Sequence, residues 1–248
     1  FKTALASAPP VKREAVLTIN LAGSYPEEPP QDFESSFLRR GRPTMKEILS
    51  LLETAKDDPK IKEAYLRIGQ LEDMGWAKAK ELRQGLLSFS ESGKRLTAFM
   101  EEGDDKAYYL ASTADRLVMP ELGMLFVNGL QSKIAFLKNT YSKLGINWEE
   151  VKRGKYKSAT EPYTREGMSE PFREMMDALL DDVYEDYLGS LAASRNLTDQ
   201  QVRDIVDKGP YFNPEDALKA GLIDELRYES DLEEELDIAD PKKGRSIE

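Results

Sequence analysis

The chain has 248 residues, 40% of them hydrophobic, and a formal net charge of −11 at pH 7. That is enough apolar material for one large or two small cores, while the negative field over most of the surface excludes a nucleic-acid backbone as partner. Cysteine and histidine are both absent, which rules out disulfides, Cys/His zinc sites, a cysteine nucleophile and a Ser-His-Asp triad. A hydrolase built from these residues takes its base from a carboxylate or a lysine.

Strands and helices alternate from the start. AVLTINLAG (15–23) reads as a β-rich strand ending at Gly23, and YPEEPPQ after it is a proline-rich loop. Thr44 and Glu47 form a capping box ahead of Ile48, Leu51, Leu52 and Ala55, which keep helical spacing. EAYLRIG (63–69) predicts a strand, residues 77–92 a helix with Leu82, Leu86 and Phe89 on one face, RLTAFME (95–101) a strand and DKAYYLAST (105–113) a helix. RLVMP and MLFVNGL read as short strands, KIAFLKNTYSKLG as a helix stopping at Gly145, and NWEEVKR as a strand. Ser169 caps a long helix with Phe172, Met175, Met176, Leu179, Val183 and Tyr187 along one stripe. Thr198 with Gln201 marks a second capping box, and Asn213-Pro214 opens a short helix ending at Gly221. Such alternation predicts a largely parallel sheet with helical crossovers.

No run of about eighteen apolar residues is present, so no segment reads as a transmembrane helix. A chain beginning at Phe1 is expected to be a fragment or a processed product, which leaves a preceding signal or anchor open.

Chemistry is sparse. No serine has glycines two residues before and after it, and none is followed three residues later by lysine, which removes the nucleophile elbow and the β-lactamase type of Ser-Lys pair. Gly75 in EDMGWAK and Gly103 in EEGDDK are candidates for backbone donors at strand-to-helix turns, or are plain turns. The acid pairs Asp57-Asp58, Asp104-Asp105 and Asp181-Asp182 read as solvated surface.

KRGKYKSATEP (152–162) stands out because it crowds three lysines and an arginine into an acidic chain. It is either a basic surface loop or the source of a general base. An ordinary lysine, with a pKa of about 10.4, is neutral in about one copy in 2,500 at pH 7, so a catalytic lysine needs desolvation or neighbouring cations. Lowering the pKa to about 7–8 corresponds to roughly 3–4 kcal/mol. Residue chemistry does not choose between Lys155 and Lys157.

GKYKSATEPYTREGMSEPFRE resembles the lysine segment of the signal peptide peptidase A (protease IV) family, serine peptidases with a Ser-Lys dyad. The similarity extends through VLTINLAG, TAKDDPKIKEAYLRI, YYLASTADRLVMPE, NGLQSKIAFLKNTYSKLGI and GPYFNPEDALKAGLIDEL. The resemblance implies an α/β, ClpP/crotonase-like fold of repeated βα units, with a mostly parallel sheet and a helical C-terminal layer. It puts Lys157 at the dyad lysine, Ser158 in a supporting place and Gly75 at what remains of the oxyanion turn. In single-half members a segment similar to A-S-G-G-Y-Y carries the nucleophile; here it is DDKAYY, with Asp105 in the serine's place.

That departure is similar to the N-terminal half of long, duplicated members, whose second half gives the serine. The implied organisation is an N-terminal extension (1–14), a ClpP/crotonase-like domain (15–236), and a polar tail or linker to a second half (237–248). The implied partners are signal peptides, a second half of the same polypeptide, further copies of the chain, and a membrane reached through a segment outside it. Neither cofactor nor metal is implied, and the expected location is the extracytoplasmic (periplasmic) face of the cytoplasmic membrane. Two other readings are a non-catalytic scaffold and an acyl-CoA enzyme of crotonase type; DMGW and DDKAYY do not resemble the glycine-rich turns the latter needs.

Overall fold

The computed structural model describes residues 15–28 and 43–238 together with the backbone of 245–247. The expected 1–14 extension, the end of the YPEEPPQ loop and most of the 237–248 tail lie outside the described residues. Those that are described fall into two compact units, one drawn from Phe1–Asn128 and Ser190–Glu248, the other from Gly129–Gly189.

The first unit is built on β1 (Ala15–Ser24), β2 (Ile61–Glu72), β3 (Arg95–Met100), β5 (Arg116–Met119), β7 (Glu225–Leu226) and β8 (Arg245–Ile247). They form one sheet in the order β7-β5-β3-β2-β1-β8, and every pairing is parallel. The α/β class with a mostly parallel sheet is therefore the fold observed. β4 (Glu102–Asp104) and β6 (Met124–Phe126) make a second, two-stranded parallel sheet.

The crossovers follow the sequence pattern. α1 (Met45–Asp57) buries Ile48, Leu51, Leu52 and Ala55, the residues set by its spacing, and packs on α2 (Trp76–Glu91), which buries Leu82, Leu86 and Phe89. β1 alternates, burying Leu17, Ile19 and Leu21. In β2 both faces are covered: Ala64, Leu66 and Ile68 are buried, and so is Tyr65, which clusters with Phe99, Val118 and Leu232. At about 1.5–3 kcal/mol for each large apolar side chain fully buried, these positions dominate the stabilisation.

Both capping boxes are present. The Thr44 hydroxyl accepts from Glu47 N while the Glu47 carboxylate accepts from Thr44 N at 2.8 Å, and Thr198 with Gln201 repeats the arrangement ahead of α7 (Asp199–Lys208). Thr44→Ala is expected to cost about 1 kcal/mol, or about 2–4 °C in Tm for a chain of this size, measured by calorimetry. No change would mean that water serves the freed N–H groups equally well.

β5 is followed by β6, and α3 (Asp105–Ala111) connects β4 to β5. In the second unit, α4 (Lys138–Lys143) and α5 (Glu161–Thr164) are short, and α6 (Glu170–Arg195) begins there and enters the first unit at Ser190. Ser169 caps α6 as expected, its hydroxyl accepting from Phe172 N at 3.3 Å. α8 (Pro214–Lys219) starts at Asn213, whose side chain accepts from Glu215 N. α9 (Glu229–Glu235) completes the helical C-terminal layer.

Two expected elements differ. The helix expected over 133–145 contracts to α4, because Leu137 offers no capping side chain and its N–H is taken by the Pro162 carbonyl at 2.7 Å. NWEEVKR forms no strand: Val151 is fully exposed, so no pleated face is buried, and Trp148 instead packs against Tyr141 and Tyr163.

Candidate active site

In the first unit, β2 and β3 stay paired as far as Ile68 and Met100, after which the chain turns at Glu101 into β4. The fork so made is a cavity of about 490 Å³, lined by Ile68, Leu71, Phe99 and Phe126 together with Glu101, Glu102 and Asp104. Ligands of parallel sheets bind at such carboxyl ends. Asp104 caps α3, its Oδ1 accepting from Lys106 N at 3.1 Å and Ala107 N at 2.9 Å. Asp105 is the first residue of α3 and is buried. The place where the resemblance expects the nucleophile's hydroxyl therefore carries consecutive carboxylates, with helix N–H groups already given to one of them. A developing oxyanion would meet like charge there.

Gly75 is the N-cap of α2 at φ −70°, ψ 156°, without side-chain capping. A Cβ on Gly75 would meet nothing within 4 Å, so neither conformation nor space requires glycine. It enters a helix as any cap residue does.

In the second unit the basic loop has no regular secondary structure until α5. Lys157 is exposed, and its N–H reaches the Gly154 carbonyl at 3.4 Å across a turn that Gly154 makes at φ +103°. Ser158 is buried, and its carbonyl accepts from Glu161 N at 3.0 Å. Lys157, Ser158, Tyr156, Thr160, Val151 and Phe172 line an open cavity of about 680 Å³ that Lys152, Arg153 and Ala159 complete.

The three lysines differ in their partners. Lys152 Nζ lies 3.1 Å from Glu150 and 3.5 Å from Glu161. Its ammonium is held above its ordinary pKa, chiefly by the Glu150 hydrogen bond. Lys155 Nζ lies 3.7 Å from Glu174 and 4.4 Å from the centre of the Tyr156 ring. The Tyr156 contact, followed by the Glu174 charge, more than offsets desolvation and also raises its pKa. Both ammonium groups are thereby held more firmly in the protonated form, which leaves less free amine to take a proton. Among the described residues Lys157 has no ion-pair partner.

The sequence reading passed over Glu161. Its side chain is 0% exposed. Oε2 accepts from Ser169 N at 2.9 Å and Oε1 from the Ser169 hydroxyl at 2.7 Å. Burial pushes this carboxyl up, but the two Ser169 bonds and the Lys152 charge outweigh it and hold the group below its ordinary pKa. A carboxylate inside a cationic loop was the only signal for it in the sequence. Among the described residues there is no cluster of His, Cys, Asp or Glu suited to a metal, and no helix is long and apolar enough to cross a membrane.

Comparison with known proteins agrees with the resemblance. The chain is 30% identical over 242 residues to a chloroplastic serine protease SPPA of Arabidopsis thaliana, covering 96% of this chain and 35% of that protein. It is 27% identical over 213 residues to protease 4 of Salmonella typhi, covering 83% of this chain and 34% of that one. The chain thus spans about a third of the length of these relatives. A crystal structure of a peptidase from Plasmodium falciparum superposes with a TM-score of 0.51 at 13% identity, over 85% of this chain and 96% of that one, a likeness of fold. Residues 88–241 match the model of peptidase family S49, and the chain belongs to that family.

Proposed function

We propose that this chain is the lysine-bearing part of a serine endopeptidase that degrades remnant signal peptides, with the nucleophilic serine supplied by a second half of the same polypeptide. The observation that carries this reading is the contrast between Lys157, exposed in a cavity without an acidic partner, and Lys152 and Lys155, each tied to a carboxylate. In the proposed reaction the serine Oγ attacks the peptide carbonyl while Lys157 Nζ takes its proton. The same amine returns the proton to the leaving nitrogen, and water then releases the acyl group by the same relay. Ser158 is a supporting residue by position, and further copies of the chain and a membrane anchored elsewhere are the proposed surroundings, on the extracytoplasmic face.

Alone, the chain is expected to be inactive. With Asp105 where the nucleophile would stand, the pure 248-residue chain should neither cleave a signal-like peptide nor be labelled by a fluorophosphonate. Turnover by the pure chain, abolished by a single internal Ser→Ala change, would overturn this reading. The carboxylates around the α3 N-terminus also favour a second reading, a non-catalytic scaffold; it is supported if the enzyme carrying both segments keeps full activity without Lys157.

A further inference from the structure

The loop that holds Lys157 is clasped at both ends by one buried carboxylate. Glu161 takes the Lys152 ammonium at 3.5 Å on the near side of Lys157, and the backbone N–H and hydroxyl of Ser169 at 2.9 and 2.7 Å on the far side. Arg165 Nε lies 3.8 Å from its other face. Between these anchors the Glu161 N–H bonds the Ser158 carbonyl, the residue next to Lys157. A charge so deeply buried is tolerated only when its hydrogen bonds are satisfied, and its partners come from the lysine loop, the end of α5 and the start of α6.

We propose that Glu161 is a positioning residue for Lys157. By tying Lys152 and Ser169 to its carboxylate, while its own N–H holds the Ser158 carbonyl, it fixes the path of the loop and so the place of the amine; this rests on the reading of Lys157 as the general base. A misplacement of about 1 Å at a catalytic group costs about 10²-fold in rate. Lys157 touches the reacting proton rather than the bound peptide, so the loss should fall on kcat.

The test has two arms. In the 248-residue chain, lysines are reductively ¹³C-methylated and the Lys157 signal is assigned by its disappearance in Lys157→Arg. Glu161→Gln should move or broaden that signal while the circular dichroism stays that of the folded protein. In the enzyme that also carries the serine segment, Glu161→Gln should lower kcat about 10²-fold with KM within twofold, and Glu161→Asp, which keeps the charge on a shorter arm, should lose less. If Glu161→Gln does not fold, Ser169→Ala removes only the hydroxyl arm and serves the same comparison. An unmoved Lys157 signal, or wild-type kcat in Glu161→Gln beside an inactive Lys157→Ala, overturns this inference alone. An active Lys157→Ala overturns the general-base reading and this inference with it.

Discussion

Lys157→Ala, made in the enzyme that carries both the lysine loop and the serine segment, is expected to lower kcat by about 10²–10⁴-fold, the usual contribution of a general base. Lys155→Ala should cost less than about tenfold. The asymmetry follows from what each ammonium touches. Lys155 already lies 3.7 Å from Glu174 and over the Tyr156 ring, contacts that favour its protonated form. Lys157 lines a cavity and has no acidic partner among the described residues, so its amine is the one left open to a docking serine segment. Steady-state kinetics of the two variants, with circular dichroism to show both folded, decide the matter. Equal losses would mean that the loop acts through bulk charge, and full activity in Lys157→Ala would leave KRGKYKSATEP as a basic surface loop.

What could be read from the sequence was local. The capping boxes at Thr44 and Thr198 each depend on two side chains three residues apart, and the burial of Leu82, Leu86 and Phe89 follows from one helical face. Elements fixed by distant partners were not legible. DELRYESDLEEEL is densely acidic in the sequence, yet Glu229 accepts from Arg67 Nε at 2.6 Å and from the Tyr65 hydroxyl at 3.0 Å, and Leu232 is fully buried against Tyr65, Phe99 and Val118. Arg116 likewise reaches Glu225 and Glu235. The apolar stripe of α6 is covered over only part of its length. Tyr187 is buried, whereas Leu179 is 55% exposed, since spacing shows which residues share a face but not how far along the helix that face is covered. At the site, the resemblance pointed to Lys157 and set Asp105 against the expected serine. Glu161 remained invisible because adjacency in the chain says nothing about which carboxylate is buried.

Arg83→Ala is expected to cost about 3–5 kcal/mol, the range for removing one partner from a buried charged network. Nothing near Arg83 in the sequence announces this. It sits on α2 and is 4% exposed. Its guanidinium donates to the Tyr109 carbonyl, to the Ser112 hydroxyl at 3.0 Å, to the Ser190 carbonyl at 2.9 Å and to the Ser194 hydroxyl. It also lies 4.6 Å from the centre of the Tyr109 ring. Three helices thus meet on one side chain, two of its partners being 107 and 111 positions away along the chain. Alanine would remove the donors and leave buried acceptors without them, each a penalty of about 1–3 kcal/mol that relaxation only partly relieves. Lysine keeps the charge but not the planar fork, so Arg83→Lys should recover only part of the loss. At about 2–4 °C per kcal/mol for a chain of this size, calorimetry should find Tm lower by about 10 °C in Arg83→Ala. A fall of less than about 2 °C, near what 1 kcal/mol produces, would show that water enters and replaces the guanidinium, and that the three helices hold together without it.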